Sequence, residues 1–457
     1  MTRETTPQAD GQSRQQAAEP TQHSAEPQWI STRDVQQAEA DVRALYEDVF
    51  GAEPVGVWSA PGRVNLIGEH VDYAAGISVP FALSQRTYVA ASPNAEGTYR
   101  LVSRYAPSAS EPPHNVRYEI PVGDVSPGHP ANWAGYAVGA IWAAREAGVI
   151  PAGEAASSGL DIAIVSDVPV GAGLSSSAAL ECAAVLAAFD LANGASAEAR
   201  ELDDDVRAGL MVASIRAENE VVGASTGGLD QRIALFGKKG HALAIDFLQD
   251  SAEQVPFDIA SRGLAVLIMN TNAPHQLNDG QYASRRAVID GVTEDLGVRS
   301  LREAQDAVAA SAAWAERTVP EGVDADAADV EAWKQTVARR VRHVVSEIER
   351  TADAVELLKR GDMDAFGLAM SASHASLRGD YEVTVPELDL AVDTAMACGA
   401  LGARMTGGGF GGSAIALLDA TLVESTAAAV AEAFARAGFN APEFVVALPS
   451  DGAHRHV

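Results

Sequence analysis

The segment "PGRVNLIGEHVDY", Pro61 to Tyr73, combines the apolar pattern of a buried strand with an unusual density of polar side chains. Val64, Leu66 and Ile67 are typical of a segment anchored in a hydrophobic core. The polar side chains between and after them are Arg63, Asn65, Glu69, His70 and Asp72. So many polar side chains in a strand-like segment raise the question of what they bind.

A loop rich in glycine and serine, "PVGAGLSSSAAL" from Pro169 to Leu180, lies between a predicted strand and a strongly helical run. Gly171 and Gly173 permit close approach of the backbone to a ligand. The serines from Ser175 to Ser177 place hydroxyls beside the unpaired N–H groups of a helix N-terminus, which is typical of an anion site. From this loop alone, an ordinary serine-capped helix after a turn explains the residues equally well.

The common nucleotide-binding motifs are missing from the sequence or stand in the wrong context. No G-x-x-x-x-G-K-[ST] P-loop occurs. Gly407, Gly409 and Gly412 satisfy G-x-G-x-x-G, but "SAIALL" follows them and predicts a strand. In a dinucleotide-binding unit these glycines open a helix, so we reject that interpretation.

Composition excludes several classes of protein. The chain has 457 residues and a formal net charge of −29, which disfavours nucleic acid and anionic membranes as partners. Its two cysteines, Cys182 and Cys398, are too far apart in sequence for a zinc motif or a disulfide framework to be indicated. With no signal-like N-terminus and no run of about 20 apolar residues, we expect a soluble, cytoplasmic protein.

The order of predicted elements favours an α+β fold of two domains. A strand-rich part, 29–250, precedes a mostly helical part, 251–457, that ends in further strands. Residues 1–28 contain few large apolar side chains and predict a disordered tail. The first helix should begin after Ser31 or Thr32, either of which can cap it.

Together with "RMTGGGFGGSAIAL" (Arg404 to Leu417), the two segments that begin at Pro61 and Pro169 resemble, in this order, the motifs of the galactokinase family within the GHMP small-molecule kinases. The resemblance implies a ribosomal-protein-like N-terminal domain, a ferredoxin-like C-terminal domain and an active site in the cleft between them. It also implies that the second motif binds the phosphates of ATP, through Gly171, Gly173, Leu174, Ser175, Ser176 and Ser177.

Residue roles follow from the same resemblance. The "LDQ" segment makes Asp230 the acid–base residue and Arg63 its partner, and a guanidinium favours the charged form of a neighbouring carboxylate. Glu218 and Ser177 match the ligands of Mg²⁺, which prefers oxygen donors. The sugar-binding positions are Glu69, His70, Asp72, Gly227 and Tyr282.

The implied reaction is ATP-dependent phosphorylation of galactose at its anomeric hydroxyl, giving galactose 1-phosphate and ADP, by a monomeric enzyme. Two alternatives stay open: a kinase for N-acetylgalactosamine, arabinose or another sugar, and a sensor that binds galactose and ATP without transfer. Retention of Arg63 and Asp230 argues against the sensor. The family usually has Thr at Val71 and Asn-Gly at Ala74–Ala75, so we expect an altered rim of the sugar pocket.

Overall fold

The computed structural model describes residues 26–105, 113–151, 158–194, 202–224, 226–273, 279–320 and 327–456. The predicted tail lies outside the described residues as far as residue 25. The described strands are β1 (Gln28–Trp29), β2 (Gly56–Asn65), β3 (Ile77–Ser78), β4 (Pro80–Asn94), β5 (Thr98–Tyr105), β6 (His114–Pro121), β7 (Gly159–Ser166), β8 (His241–Asp246), β9 (Ser251–Pro256), β10 (Leu264–Asn270), β11 (Gly402–Thr406), β12 (Ser413–Asp419), β13 (Glu443–Ala447) and β14 (His454–His456).

The α-helices follow the predicted pattern of a strand-rich and a helix-rich part. Those of the described residues are α1 (Val35–Phe50), α2 (Trp133–Glu146), α3 (Ser176–Ala192), α4 (Asp204–Arg216), α5 (Leu229–Phe236), α6 (Asp279–Leu296), α7 (Ala307–Arg317), α8 (Ala327–Arg360), α9 (Met363–Ser376), α10 (Pro386–Ala397) and α11 (Val423–Ala437). The predicted cap of α1 is wrong. Asp34 caps this helix, because its carboxylate accepts a hydrogen bond from the Gln37 N–H group.

Two large sheets dominate the architecture. The first has six strands in the order β14-β2-β4-β7-β5-β6, and the second has five in the order β1-β13-β10-β12-β11. Helices α2 and α3 bury alanine-rich faces in one core cluster with the first sheet, and α1 packs on the same sheet in a separate cluster. A smaller sheet, β3-β8-β9, completes the described strands. The structure is therefore the mixed α and β fold that the sequence predicts.

The first and the last described strand each join the large sheet that belongs mainly to the other part of the chain. Strand β1 pairs in parallel with β13, whereas β14 pairs antiparallel with β2. The last strand thus joins the sheet of the first part, and the first strand joins the sheet of the second. No sequence pattern indicated this exchange, and the division into domains at residue 250 stays a prediction.

The segment from Pro61 to Tyr73 lies where the two parts meet. Val64, Leu66 and Ile67 are fully buried, which confirms their predicted role as core anchors. They belong to one cluster with Val266 and Ile415 on the five-stranded sheet. A continuous core therefore fixes the polar residues of this segment relative to both parts. Within the described ranges, no helix is long and apolar enough to span a bilayer.

Candidate active site

Arg63 and Asp230 form a bidentate ion pair at the centre of the candidate site. Arg63, near the end of β2, donates from Nε to Asp230 Oδ1 at 2.7 Å and from Nη2 to Oδ2 at 3.0 Å. Asp230 lies in the first turn of α5, where the helix dipole favours a negative charge. The structure thus brings together the two residues that the resemblance paired, although they are 167 positions apart in sequence.

The serine-rich loop also contacts this ion pair. Arg63 donates from Nη1 to the Gly173 carbonyl, and the Ser175 hydroxyl donates to Asp230 Oδ2. Ser175 precedes α3 with a left-handed φ of 61° and makes no side-chain cap to the helix. A simple serine-capped helix is therefore the wrong interpretation of the loop. The contact between Ser175 and Asp230 was not predicted, because nothing in sequence relates the two segments.

The two glycine loops lie against each other. A Cβ added at Gly407 would lie 3.3 Å from the Gly173 carbonyl oxygen, and one at Gly412 would lie 3.5 Å from that of Ala172. Ser413 donates to the Ala172 carbonyl at 2.7 Å. Strand β12 begins at this residue, so a strand follows the second loop as predicted. The rejection of a dinucleotide-binding motif is confirmed.

Glu218 lies close to the ion pair, in a π-helical turn, Ala217–Val222, that continues α4. Its carboxylate accepts from the Ser177 hydroxyl at 3.5 Å and from the Gln231 amide at 2.7 Å. The same amide donates to Glu181, a fully buried carboxylate, at 2.9 Å. Burial and the nearby Asp230 carboxylate raise the pKa of Glu218 to about 7. Sequence reasoning missed Glu181 and the bridging role of Gln231.

Glu69 is buried beside a fully buried arginine, Arg404. The guanidinium Nη2 and the carboxylate Oε2 form an ion pair at 3.0 Å whose angles are not those of a hydrogen bond. Arg404 also donates to the Asn65 carbonyl at 3.0 Å. Burial raises the pKa of Glu69, and the Arg404 charge opposes that shift. Arg404 begins the third motif, but the sequence did not mark it as a site residue.

His70 joins the first motif to the second glycine loop. Its Nε2 lies 3.1 Å from the Gly408 carbonyl, which can only accept, so Nε2 carries a proton. Its Nδ1 lies 3.3 Å from the Tyr73 hydroxyl, which lies 2.6 Å from that of Tyr381. Burial is the main reason that the pKa of His70 falls to about 3. Both ring nitrogens therefore have protein partners, and the ring is neutral at physiological pH.

Asp72, Gly227 and Tyr282 complete the set of predicted sugar residues. A Cβ at Gly227 would overlap Asp72 Oδ2, so a larger residue would displace the Asp72 carboxylate. Burial and the neighbouring Asp230 raise the pKa of Asp72, and burial and Asp72 raise that of Tyr282. The Tyr282 ring lies 5.4 Å from the ring of His70. These residues therefore lie together, beside Asp230.

The expected change at the pocket rim is wrong for Val71. This side chain is fully buried and packs in the core cluster of the helix-rich part, next to Ile348 on α8. Ala74 is also buried in this cluster. Ala75 has a left-handed φ of 52°, where the family usually has glycine. The departures at these positions therefore concern packing and backbone conformation.

The low pKa of His70 predicts acid destabilisation. In the unfolded state His70 has a pKa near 6.5 and is protonated below that pH. In the folded state its ring stays unprotonated down to about pH 3. This stability is fully present above about pH 6.5 and is lost as the pH falls toward 3. At pH 5 we expect a loss of about 2 kcal/mol from this group. Urea unfolding of the wild type and of His70→Asn between pH 5 and 7.5 measures this change in the free energy of unfolding. If the free energy of unfolding changed equally with pH in both proteins, the prediction would be contradicted.

Comparisons with known proteins agree with this geometry. The galactokinase galactose-binding signature matches residues 44–93, the GHMP kinases N terminal domain matches 135–238, and the GHMP kinases C terminal model matches 354–436. Galactokinase of Streptomyces coelicolor is 43% identical over 416 residues, covering 90% of this chain and 97% of the relative. The chain belongs to the galactokinase family. Human galactokinase is 39% identical, covering 84% of this chain and 88% of the human protein.

Solved structures extend the family assignment to the fold. A galactokinase of Lactococcus lactis complexed with galactose matches with a TM-score of 0.73 at 30% identity, covering 91% of this chain and 98% of that structure. A mevalonate kinase matches with a TM-score of 0.57 at 15% identity, covering 88% and 99%, which shows a shared fold alone. The fold is therefore that of the GHMP kinases, and the higher similarity lies with the galactokinase family.

Proposed function

We propose that this chain phosphorylates galactose at the anomeric hydroxyl, using ATP and releasing galactose 1-phosphate and ADP. The observation that carries the proposal is the Arg63–Asp230 pair, which lies between a glycine loop suited to phosphates and the buried carboxylates Glu69 and Asp72. Carboxylates facing a polyol accept directional hydrogen bonds from its hydroxyls. Membership of the galactokinase family supports the same sugar.

The geometry suits an in-line transfer assisted by a base. Asp230 accepts the proton of the anomeric hydroxyl as that oxygen forms its bond to the γ-phosphorus, and the bond to the bridging oxygen of ADP breaks. Arg63 holds the Asp230 carboxylate and offers positive charge to the transferring group. Backbone N–H groups at the start of α3 face the phosphates, with Gly171, Gly173 and Leu174 shaping the loop and Ser176 opening the helix.

A magnesium ion fits the residues at the Glu218 end of the site. Ser177 and Glu218 offer oxygen donors, which Mg²⁺ prefers. Glu218 forms no ion pair within the described ranges, and burial together with the Asp230 carboxylate raises its pKa to about 7, so a bound cation would stabilise its charged form. Ser177 and Glu218 would hold the ion, which when bound neutralises charge on the phosphate oxygens.

Glu218→Ala should raise the Mg²⁺ concentration needed for half-maximal turnover by about tenfold or more, because one charged oxygen ligand is lost. Galactose affinity should change less than about twofold. Magnesium titrations of turnover, with galactose binding measured separately, test both parts. Glu220→Ala is a matched control, since Glu220 is an exposed carboxylate that pairs with Arg216, one helical turn earlier. An unchanged magnesium requirement, with weaker galactose binding, would show that Glu218 belongs to the sugar site.

A panel of sugars tests the proposed substrate. With MgATP, galactose should be converted faster than glucose by up to about 10⁴-fold, because a site that pairs a particular hydroxyl leaves buried groups unpaired when the hydroxyl is misplaced. Phosphorus NMR should place the product phosphate on O1, coupled to the anomeric proton. Faster conversion of N-acetylgalactosamine or arabinose would favour the alternative kinases, and galactose binding without ADP formation would favour the sensor.

The localisation, oligomeric state and domain organisation of the enzyme belong to the same proposal. We place it in the cytoplasm, where cells maintain ATP, and we expect it to act as a monomer. The division into parts 29–250 and 251–457, with their ribosomal-protein-like and ferredoxin-like folds, is supported by the positions of the N-terminal and C-terminal family models. The site lies at the contact of these parts.

A further inference from the structure

Helix α8 carries a buried carboxylate that the proposed reaction does not use. Glu347 is fully buried in the middle of this helix, directly behind the turn that leads into the sugar-binding residues. Its Oε1 accepts from the Gly68 N–H at 3.0 Å, from the Glu69 N–H at 3.4 Å and from the Ser373 hydroxyl at 2.6 Å. Its Oε2 accepts from Arg350. An apolar side chain could fill the same space, so the presence of a buried, hydrogen-bonded carboxylate at this position calls for an explanation.

His343, four residues earlier on α8, contacts the carbonyl of Glu69 in the same turn. This ring is fully buried, and its Nε2 lies 3.2 Å from the Glu69 carbonyl oxygen. The carbonyl can only accept, so Nε2 is the protonated nitrogen, and Nδ1 faces the Ser376 hydroxyl at 2.9 Å. Residues four apart share one face of a helix. The same face of α8 therefore contacts both the N–H and the C=O group of Glu69.

The backbone that these contacts hold is intrinsically unfavourable. Gly68 has a φ of 85°, and a Cβ there would overlap the Ile77 carbonyl. His70 has a left-handed φ of 60°, which a residue with a side chain rarely adopts. Such conformations persist where the surrounding structure fixes them, and they cluster at functional sites. Asn65 and Ser78 donate to the Gly68 carbonyl, and α8 supplies the side-chain partners of the Gly68 N–H and of both backbone groups of Glu69.

We propose that Glu347 and His343 are positioning residues for sugar recognition: from helix α8 they fix the Gly68–His70 turn and thereby aim Glu69 and His70 at the substrate. The inference rests on the proposed function, because it names what sets the geometry of the same sugar site. Their described side-chain contacts lie with the turn, with α9, with Arg350 and, for His343, with the Tyr381 ring at 4.4 Å, and none of these contacts is with the phosphate loop. Their loss should therefore affect the sugar and spare the nucleotide.

The test is calorimetric titration of the full chain with galactose and, separately, with MgADP. Glu347→Gln keeps the shape and replaces a charged acceptor by a neutral one. We expect galactose Kd to rise about tenfold and MgADP Kd to stay within about twofold. Thr351→Val is the matched control, one turn along α8, because Thr351 is buried and donates only to the backbone carbonyl of residue 347. It should leave both affinities unchanged.

His343→Leu provides the second variant if Glu347→Gln does not fold. It removes the hydrogen bond to the Glu69 carbonyl and should weaken galactose binding about fivefold. Variants that bind galactose as wild type does, or that lose galactose and MgADP equally, would overturn the positioning role. Failure of the wild-type chain to bind galactose would instead overturn the proposed function, and the inference with it.

Discussion

Replacing Asp230 by Asn should lower kcat about 10³-fold while galactose and MgADP affinities stay within a few-fold of wild type. The amide preserves the size of the side chain and can still accept one hydrogen bond from Arg63, but it cannot take the proton of the anomeric hydroxyl. Loss of a base that acts only in the transition state lowers kcat and kcat/KM together. Steady-state kinetics and calorimetry on the same preparation measure both quantities.

A matched control is an ion pair formed by another residue of the same helix. Arg232, two residues further along α5, pairs at 2.5 Å with Asp250, whose side chain is 83% exposed. Asp250→Asn makes the same chemical change in an exposed ion pair, and such pairs contribute little. We expect turnover within about twofold of wild type. An Asp230→Asn enzyme with near-normal kcat would remove Asp230 from the acid–base role.

The sequence predicted the fold well where local pattern determines structure. Apolar spacing marked α1, and a strand after the second glycine loop separated this chain from dinucleotide-binding proteins. The exchange of β1 and β14 between the sheets was not predicted, because a two- or three-residue strand carries no periodicity. Its position depends on tertiary contacts such as the hydrogen bond from Ile30 N–H to the Phe444 carbonyl.

For the site, the motifs predicted the residues of binding and catalysis. They did not predict which other residues hold these side chains in position. Arg63 and Asp230 came from the resemblance, and their contact needed the fold. Arg404 and Glu347 escaped notice because a charged residue within a strand or a long amphipathic helix is usually solvated. Burial is the signal that singles them out, and burial depends on which elements pack together. Supporting residues of this kind are therefore visible only in three dimensions.

Arg63→Ala should lower kcat/KM by about 10²–10³-fold, which corresponds to about 3–4 kcal/mol of transition-state stabilisation. The substitution removes both hydrogen bonds to Asp230 and the positive charge beside it. It also frees the Gly173 carbonyl, so the phosphate loop loses a contact to β2. Arg63→Lys restores the charge without the bidentate geometry and should recover only part of the activity, because a single ammonium group cannot hold both carboxylate oxygens in one plane.

Arg100 provides the control that separates catalysis from stability. It forms a similar bidentate pair with Asp161, at 2.6 Å from both Nε and Nη2, between β5 and β7 and away from the site. Arg100→Ala removes the guanidinium partner of Asp161, as Arg63→Ala does for Asp230, so it should lower the midpoint of thermal unfolding while kcat at 25 °C changes less than about twofold. If both variants lost activity in proportion to their loss of stability, Arg63 would be a structural residue. A selective fall in kcat for Arg63→Ala, with Arg63→Lys intermediate, is the outcome expected of a residue that stabilises the transferring phosphoryl group and orients its base.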